Sequence, residues 1–183
     1  IIPGASQITV LPAKDGFIFA NSENKIFIQT LNGDKPAREL FFVPNKIVKK
    51  TGISGDGKYL AVVSLNQIIK TKELTFSVFD LEKNILVFSG SLLTPENEII
   101  SEDNLAGFFL FSENIILATA KEIFNYNFKT KISAILYKSS EGQLHSFTLR
   151  EYFDFGFFAQ QQIYFLEKKS NQNSLFVLKN GKQ

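Results

Sequence analysis

The sequence predicts an all-β chain assembled from repeated antiparallel units, and three observations carry that reading. A short turn recurs ahead of strand-like runs. A second pattern, apolar run, turn, apolar run, keeps step with it. No segment of about a dozen residues shows the 3.6-residue periodicity of a helix.

The turns come first. Asp15-Gly16 leads into Phe17-Ile18-Phe19-Ala20, and Asp56-Gly57, within SGDGKYLAVVS (54–64), leads into Lys58-Tyr59-Leu60-Ala61-Val62. Glu113-Asn114 precedes Ile115-Ile116-Leu117-Ala118, and Asp154-Phe155-Gly156 precedes Phe157-Phe158-Ala159. The first two turns lie 41 residues apart, as do the last two, while the middle interval is 57. An extra segment therefore falls between the second and third units. Each turn is expected to join two antiparallel strands at equivalent places in successive sheets, because Gly, Asn and Asp tolerate the positive φ of tight turns.

The second pattern is clearest in FSVFDLEKNILVFSG (76–90) and IFNYNFKTKISAILY (123–137). Each has an apolar run, then Asp80 or Asn127, one apolar residue, three polar residues and a second apolar run. IFIQTLNGDKPARELFFV (26–43) is a looser copy with a longer turn. In EIFNYNFKT the rings of Phe124, Tyr126 and Phe128 alternate with Asn125 and Asn127, a period of two. KYLAVVSL and QQIYFLEKK are apolar at successive positions, as expected of strands buried on both faces.

Units of this length, with three or four short strands each, have the period of a β-propeller blade. ISGDGKYLAVVSLN…LTFSVFDLEKNILVFSG resembles one blade of the WD40-like and quinoprotein-like propeller superfamily. The resemblance covers the second unit well, the first and third in part and the fourth little. It departs from those families in lacking a Trp-Asp dipeptide, a Gly-His pair and any Trp, so no subfamily follows from it. The units fall at about 5–45, 46–93, 105–140 and 143–183, with an insert at 94–104. A chain without Met is expected to be a processed protein or a piece of a larger propeller, whose open blade faces would need a partner.

Composition sets bounds on chemistry. Hydrophobic residues make up 44% and charged residues 21%, the balance of a soluble globular protein. The net charge of +2 offers no field to attract nucleic acid, and the Lys49-Lys50 and Lys168-Lys169 pairs are expected to be solvated. No run of 18 apolar residues is present to cross a membrane as a helix. With no Cys, disulfides, Cys-ligated zinc, iron–sulfur clusters and a Cys nucleophile are excluded, a usage that leans toward an exported protein. The 20 Phe residues predict a core built from rings, each burying roughly 150–250 Å². Leu60, Val62, Phe76, Val78, Phe88, Phe109, Ile116, Phe124, Tyr126 and Phe165 are expected to be buried.

Candidate sites are few. In LLTPENEIISEDN (92–104), Thr94-Pro95-Glu96 reads as a helix start: a hydroxyl cap, Pro at the first helical position, then an acid near the positive end of the dipole. Glu96, Glu98, Glu102 and Asp103 could form a cation site or acidic docking loop, although a solvated loop explains them, and the ligand spacing of an EF-hand is absent. His145 is the one histidine; beside Ser146 on a strand it would point to the opposite face and form no dyad. Gly52, Gly55 and Gly57 have the wrong spacing for a phosphate loop and are read as turn residues. Paired carboxylates for glycoside hydrolysis remain open, but nothing singles out a pair.

No catalytic, cofactor-binding or metal residue is assigned. The expected function is a non-enzymatic β-propeller scaffold, binding a protein partner or a second copy, with no nucleic acid and no membrane insertion. An exported accessory or sensor propeller supporting a membrane or redox complex is the alternative, and a propeller-type hydrolase the third.

Overall fold

A computed structural model describes residues 7–11, 15–31, 36–66 and 72–139, together with the backbone of 162–169 and 172–179. These residues hold fourteen strands and, among them, no helix. The chain divides into two compact units, Ile1–Leu92 and Leu93–Gln183.

The first unit contains two four-stranded antiparallel meanders. Strands β1 (Gln7–Val10), β2 (Gly16–Ala20), β3 (Lys25–Thr30) and β4 (Arg38–Phe42) form one, and β5 (Lys46–Ile53), β6 (Tyr59–Asn66), β7 (Leu74–Asp80) and β8 (Ile85–Ser91) the other. The second unit contains a third meander, β9 (Leu105–Phe111), β10 (Asn114–Thr119), β11 (Glu122–Asn127) and β12 (Ile132–Lys138). It also holds a hairpin of β13 (Gln162–Lys169) and β14 (Gln172–Lys179).

The recurring turns at 15, 56 and 113 each join the first strand of a sheet to its second. The turn at 154 lies outside the described residues. In all three sheets the apolar residue that follows the third strand donates its N–H to the carbonyl of the first turn: Leu31 to Asp15 (2.8 Å), Leu81 to Lys58 (2.8 Å) and Phe128 to Glu113 (3.1 Å). Asp80 and Asn127, equivalent in the sequence pattern, make the same side-chain turn. Asp80 Oδ1 accepts N–H bonds from Glu82 and Lys83, and Asn127 Oδ1 accepts them from Lys129 and Thr130. Four residues later the chain enters left-handed φ, 55° at Asn84 and 61° at Lys131, and reverses into the last strand.

The Asp56-Gly57 turn is longer than a two-residue hairpin. Ser54, fully buried, donates its hydroxyl to Asp56 Oδ1 (2.5 Å) and accepts the N–H of Tyr59 (2.9 Å). Asp56 Oδ1 also accepts from the N–H of Lys58. Partial burial opposes ionisation of Asp56, but the Ser54 and backbone hydrogen bonds outweigh it and hold the carboxyl below its usual range. Gly57 sits at φ 73°, the left-handed region that a side chain resists. Gly52 is not a turn residue; it lies in β5 opposite Ala61. Gly16, at the start of β2, is required for space, since a Cβ there would stand 2.5 Å from the Gln29 carbonyl oxygen.

The expected helix at Thr94 is absent. Thr94 N–H bonds the Glu98 carbonyl (2.8 Å), Asn97 N–H bonds the Thr94 carbonyl (2.9 Å), and Leu93 bridges Ile99 across an antiparallel pair. Asn97 has φ 67°, so a β-turn followed by one left-handed residue closes a three-residue hairpin loop. Asn21–Lys25 makes the same construction between β2 and β3, with Asn24 at φ 62°. Thr and Pro suit the first two positions of such a turn as well as they suit a helix start, and the left-handed Asn97 stops any continuation.

In the first unit the two sheets pack through Ile18, Ala20, Ile26, Val43, Val48, Leu60, Val62 and Phe79, with the Phe41 ring stacked on Phe79 at 3.9 Å. Thr9 on β1 and Thr51 on β5 join their hydroxyls at 2.6 Å. β6 is buried on both faces from Tyr59 to Ser64, as its unbroken apolar run predicts.

Of the residues expected to be buried, Leu60, Val62, Phe76, Val78, Ile116 and Phe124 are. Phe88, Phe109 and Tyr126 are only half-buried, and the side chain of Phe165 lies outside the described residues. The core is also less aromatic than expected. Its buried members are mainly Ile, Leu, Val and Ala, while Phe17, Phe27, Phe41, Phe108 and Phe111 are half-covered. The compact side chains take most of the dry positions, and these rings lie at the margins of the core.

Phe76 and Phe124 are the largest side chains with no exposed surface. Replacing either by Ala should cost about 3–5 kcal/mol in denaturant unfolding, through lost transfer energy plus the cavity left behind. Phe88→Ala, on a half-buried ring, should cost clearly less.

Candidate functional site

Two described side chains on β11 hold a buried polar atom with no hydrogen-bond partner, Asn125 Oδ1 and Glu122 Oε2, and Glu122, at the head of the strand, is the ionisable one. A short turn places it there. Thr119 Oγ1 accepts the N–H groups of Lys121 and Glu122 (both 3.2 Å) and donates to the Glu122 carbonyl (3.3 Å). A hydroxyl that caps its own turn suits a tight reversal between β10 and β11. Glu122 then stands opposite Lys138 of β12, and paired residues of an antiparallel ladder project to the same face.

Glu122 is only 4% exposed, and its Oε2 has no hydrogen-bond partner among the described residues. Lys138, its cross-strand neighbour, is instead bound through Nζ to Glu96 Oε1 in the turn of the insert. Burial pushes the Glu122 carboxyl above its usual range, and the negative charges of Glu96 and Glu98 push it further, against the opposing pull of Lys138 and Lys121. Glu96 is shifted the other way, because Lys138 donates to it and lies beside it. Two carboxyls in one cluster are thus driven apart, one toward the neutral form and one toward the ionised form.

Glu96 and Glu98, two of the four acids singled out in the insert, act on this cluster; Glu102 and Asp103 fall in the next turn, closed by Asn104. No group of three or more His, Cys, Asp or Glu side chains among the described residues is placed to hold a metal ion. His145 and Ser146 lie outside the described residues. Sequence reading missed Glu122 and Lys138. Their one signal was a charged residue directly ahead of the buried Ile123-Phe124 pair, which does not reveal burial of the charge itself.

No family model and no curated protein matches the sequence. Solved structures do match. The β-propeller domain of the Trilobed protease from Pyrococcus furiosus is similar at 13% identity and TM-score 0.60, over 98% of this chain and 55% of that one. The fold is that of a β-propeller. A prolyl endopeptidase structure gives 14% identity and TM-score 0.61, over 97% of this chain and 27% of the other. An oligogalacturonate lyase in complex with manganese gives 10% and 0.56, over 90% and 45%. This chain spans about half the length, or less, of these matched chains, and the likeness shows the fold alone. Enzymes are among the matched chains.

The raised Glu122 carboxyl carries a stability signature. Its proton is held more tightly in the folded chain than in the unfolded one, so the contribution is complete below the ordinary Glu value of 4.5 and is lost as pH rises through the raised value. Glu122→Gln, permanently neutral, should therefore match the native chain in acid and melt higher than it toward neutral pH. Parallel melting curves across that range would contradict the burial of a chargeable carboxyl here.

Proposed function

We propose that this chain is a non-enzymatic interaction platform of β-propeller type, holding a protein partner or a second copy against its outer strands. One observation carries the reading: the last strand of each described meander exposes large apolar side chains. Phe42 on β4 is 54% exposed, Ile85 and Leu86 on β8 are 49% and 52%, and Ile132 and Ile135 on β12 are 65% and 46%. These strands end their sheets, so each carries a row of backbone groups unpaired within its own sheet beside its apolar residues. An added strand or an apolar partner surface would satisfy both. On this reading the units at 5–45, 46–93, 105–140 and 143–183 belong to one propeller-like domain or a piece of a larger one.

The likeness to a protease's propeller domain and to a prolyl endopeptidase supports a second reading, in which the chain is the propeller part of a hydrolase.

Charge on the outer strands separates the two. The double variants Ile85→Lys/Leu86→Lys and Ile132→Lys/Ile135→Lys should fold normally, since exposed substitutions usually change stability by within about 0.5 kcal/mol. The native chain should self-associate or capture a partner in sedimentation and in pull-down from native extract, and both variants should lose that association. Undiminished association in both variants would remove the outer strands from the account. Turnover of a peptide, ester or glycoside substrate by the purified chain would favour the hydrolase.

A further inference from the structure

The insert and the Glu122 cluster together form more than a loop beside a buried acid. We propose that Glu122, Lys138 and Glu96 are a proton-operated latch, which docks the hairpin tip of the insert while Glu122 is neutral and releases it when Glu122 ionises.

The geometry sets up a competition for one ammonium group. Lys138 projects from β12 on the same face as Glu122, its register partner, yet its Nζ is committed to Glu96, 42 residues away in the chain. Glu122 is left with a buried, unpartnered oxygen beside that pair. Apolar contact does little to hold the tip. Leu93 and Ile99, at the base of the turn, are 44% and 49% exposed, and Glu96, Asn97 and Glu98 are exposed as well. Ile100, wholly buried, anchors the rest of the insert, so movement is confined to residues 95–99.

Charge counting gives the direction. The charged groups acting on Glu122 are Glu96 and Glu98 from the insert, Lys138 from β12 and Lys121 from its own turn. With Glu122 neutral, two carboxylates balance two ammonium groups. Ionisation adds a third negative charge in a buried position, where it repels Glu96 and Glu98 and draws Lys138 toward itself. Glu96 then loses its partner and the tip is freed. At the acid end Glu96, held low by Lys138, takes up a proton and the same pair breaks. Docking is therefore confined to a window above the lowered value of Glu96 and below the raised value of Glu122.

The chain has no Cys, so Ile99→Cys offers a single attachment point for a spin label on the full chain. Its mobility is read by electron paramagnetic resonance from about pH 4 to about pH 8, bracketing the carboxylate range and its raised side. The immobile component should dominate in mildly acidic solution and be lost toward the upper end. Adding Glu122→Gln should retain that component to the upper end, whereas adding Lys138→Gln should abolish it throughout. A label whose mobility ignores pH, or a Glu122→Gln profile that overlays the native one, would overturn the latch. Should Glu122→Gln fail to fold by circular dichroism, Glu96→Gln decides: a mobile tip at every pH supports the latch, and an immobile one overturns it.

Discussion

One backbone hydrogen bond, repeated three times, organises each sheet. It runs from the residue after the third strand to the carbonyl of the first turn. This bond ties two loops that are adjacent in space but 15 to 23 residues apart in sequence, and so fixes where the third strand ends relative to the first turn. Once it forms, the third strand must reverse at once, and the side chain at its end caps the reversal, as Asp80 and Asn127 do. Left-handed residues complete the turn. Four of the six non-glycine residues with positive φ among the described ones are Asn, the residue most tolerant of that conformation after Gly. Asn thus has a structural use at the reversals.

The same device is reinforced by charge in opposite senses. In the second sheet Lys58 of the first turn lies 3.8 Å from Glu82 of the third; in the third sheet Glu113 of the first turn binds Lys129 of the third. The ion pair is kept while the signs are exchanged. Both pairs are solvent-exposed and so contribute little to stability. Position in the turns, set by the backbone, brings them together, and either order of charges serves.

Much of the fold was legible because it depends on local chemistry. The Asp-Gly and Glu-Asn turns, the strand in EIFNYNFKT and the Asp80/Asn127 pattern rest on short-range signals, and each appears in the structure where its residues place it, although Glu122, Ile123 and Phe124 are buried in succession rather than alternately. Three features were not legible. Thr94-Pro95-Glu96 satisfies a helix start and a β-turn equally, and only the left-handed Asn97, whose backbone no sequence rule compels, selects the turn. The strand ILVFSGS is as apolar as its buried neighbours, yet it lies at the edge of its sheet with Ile85 and Leu86 exposed. Apolar character states what a strand could bury, not whether another layer covers it. Glu122 was hidden for the converse reason: a charged residue beside a turn reads as solvated, and its burial follows from the insert and β12, brought together from distant sequence.

The central claim is that three turn-to-turn hydrogen bonds define equivalent blades, and amide hydrogen exchange of Leu31, Leu81 and Phe128 tests it most directly. All three amides lie one residue beyond the paired second and third strands and donate to a turn carbonyl, so protection at these sites requires the tie to persist past the strand ends. Slowed exchange at all three, measured on the full chain under native conditions, is the predicted result. Exchange at the rate of an unstructured peptide at these positions, with the neighbouring strand amides protected, would contradict the account.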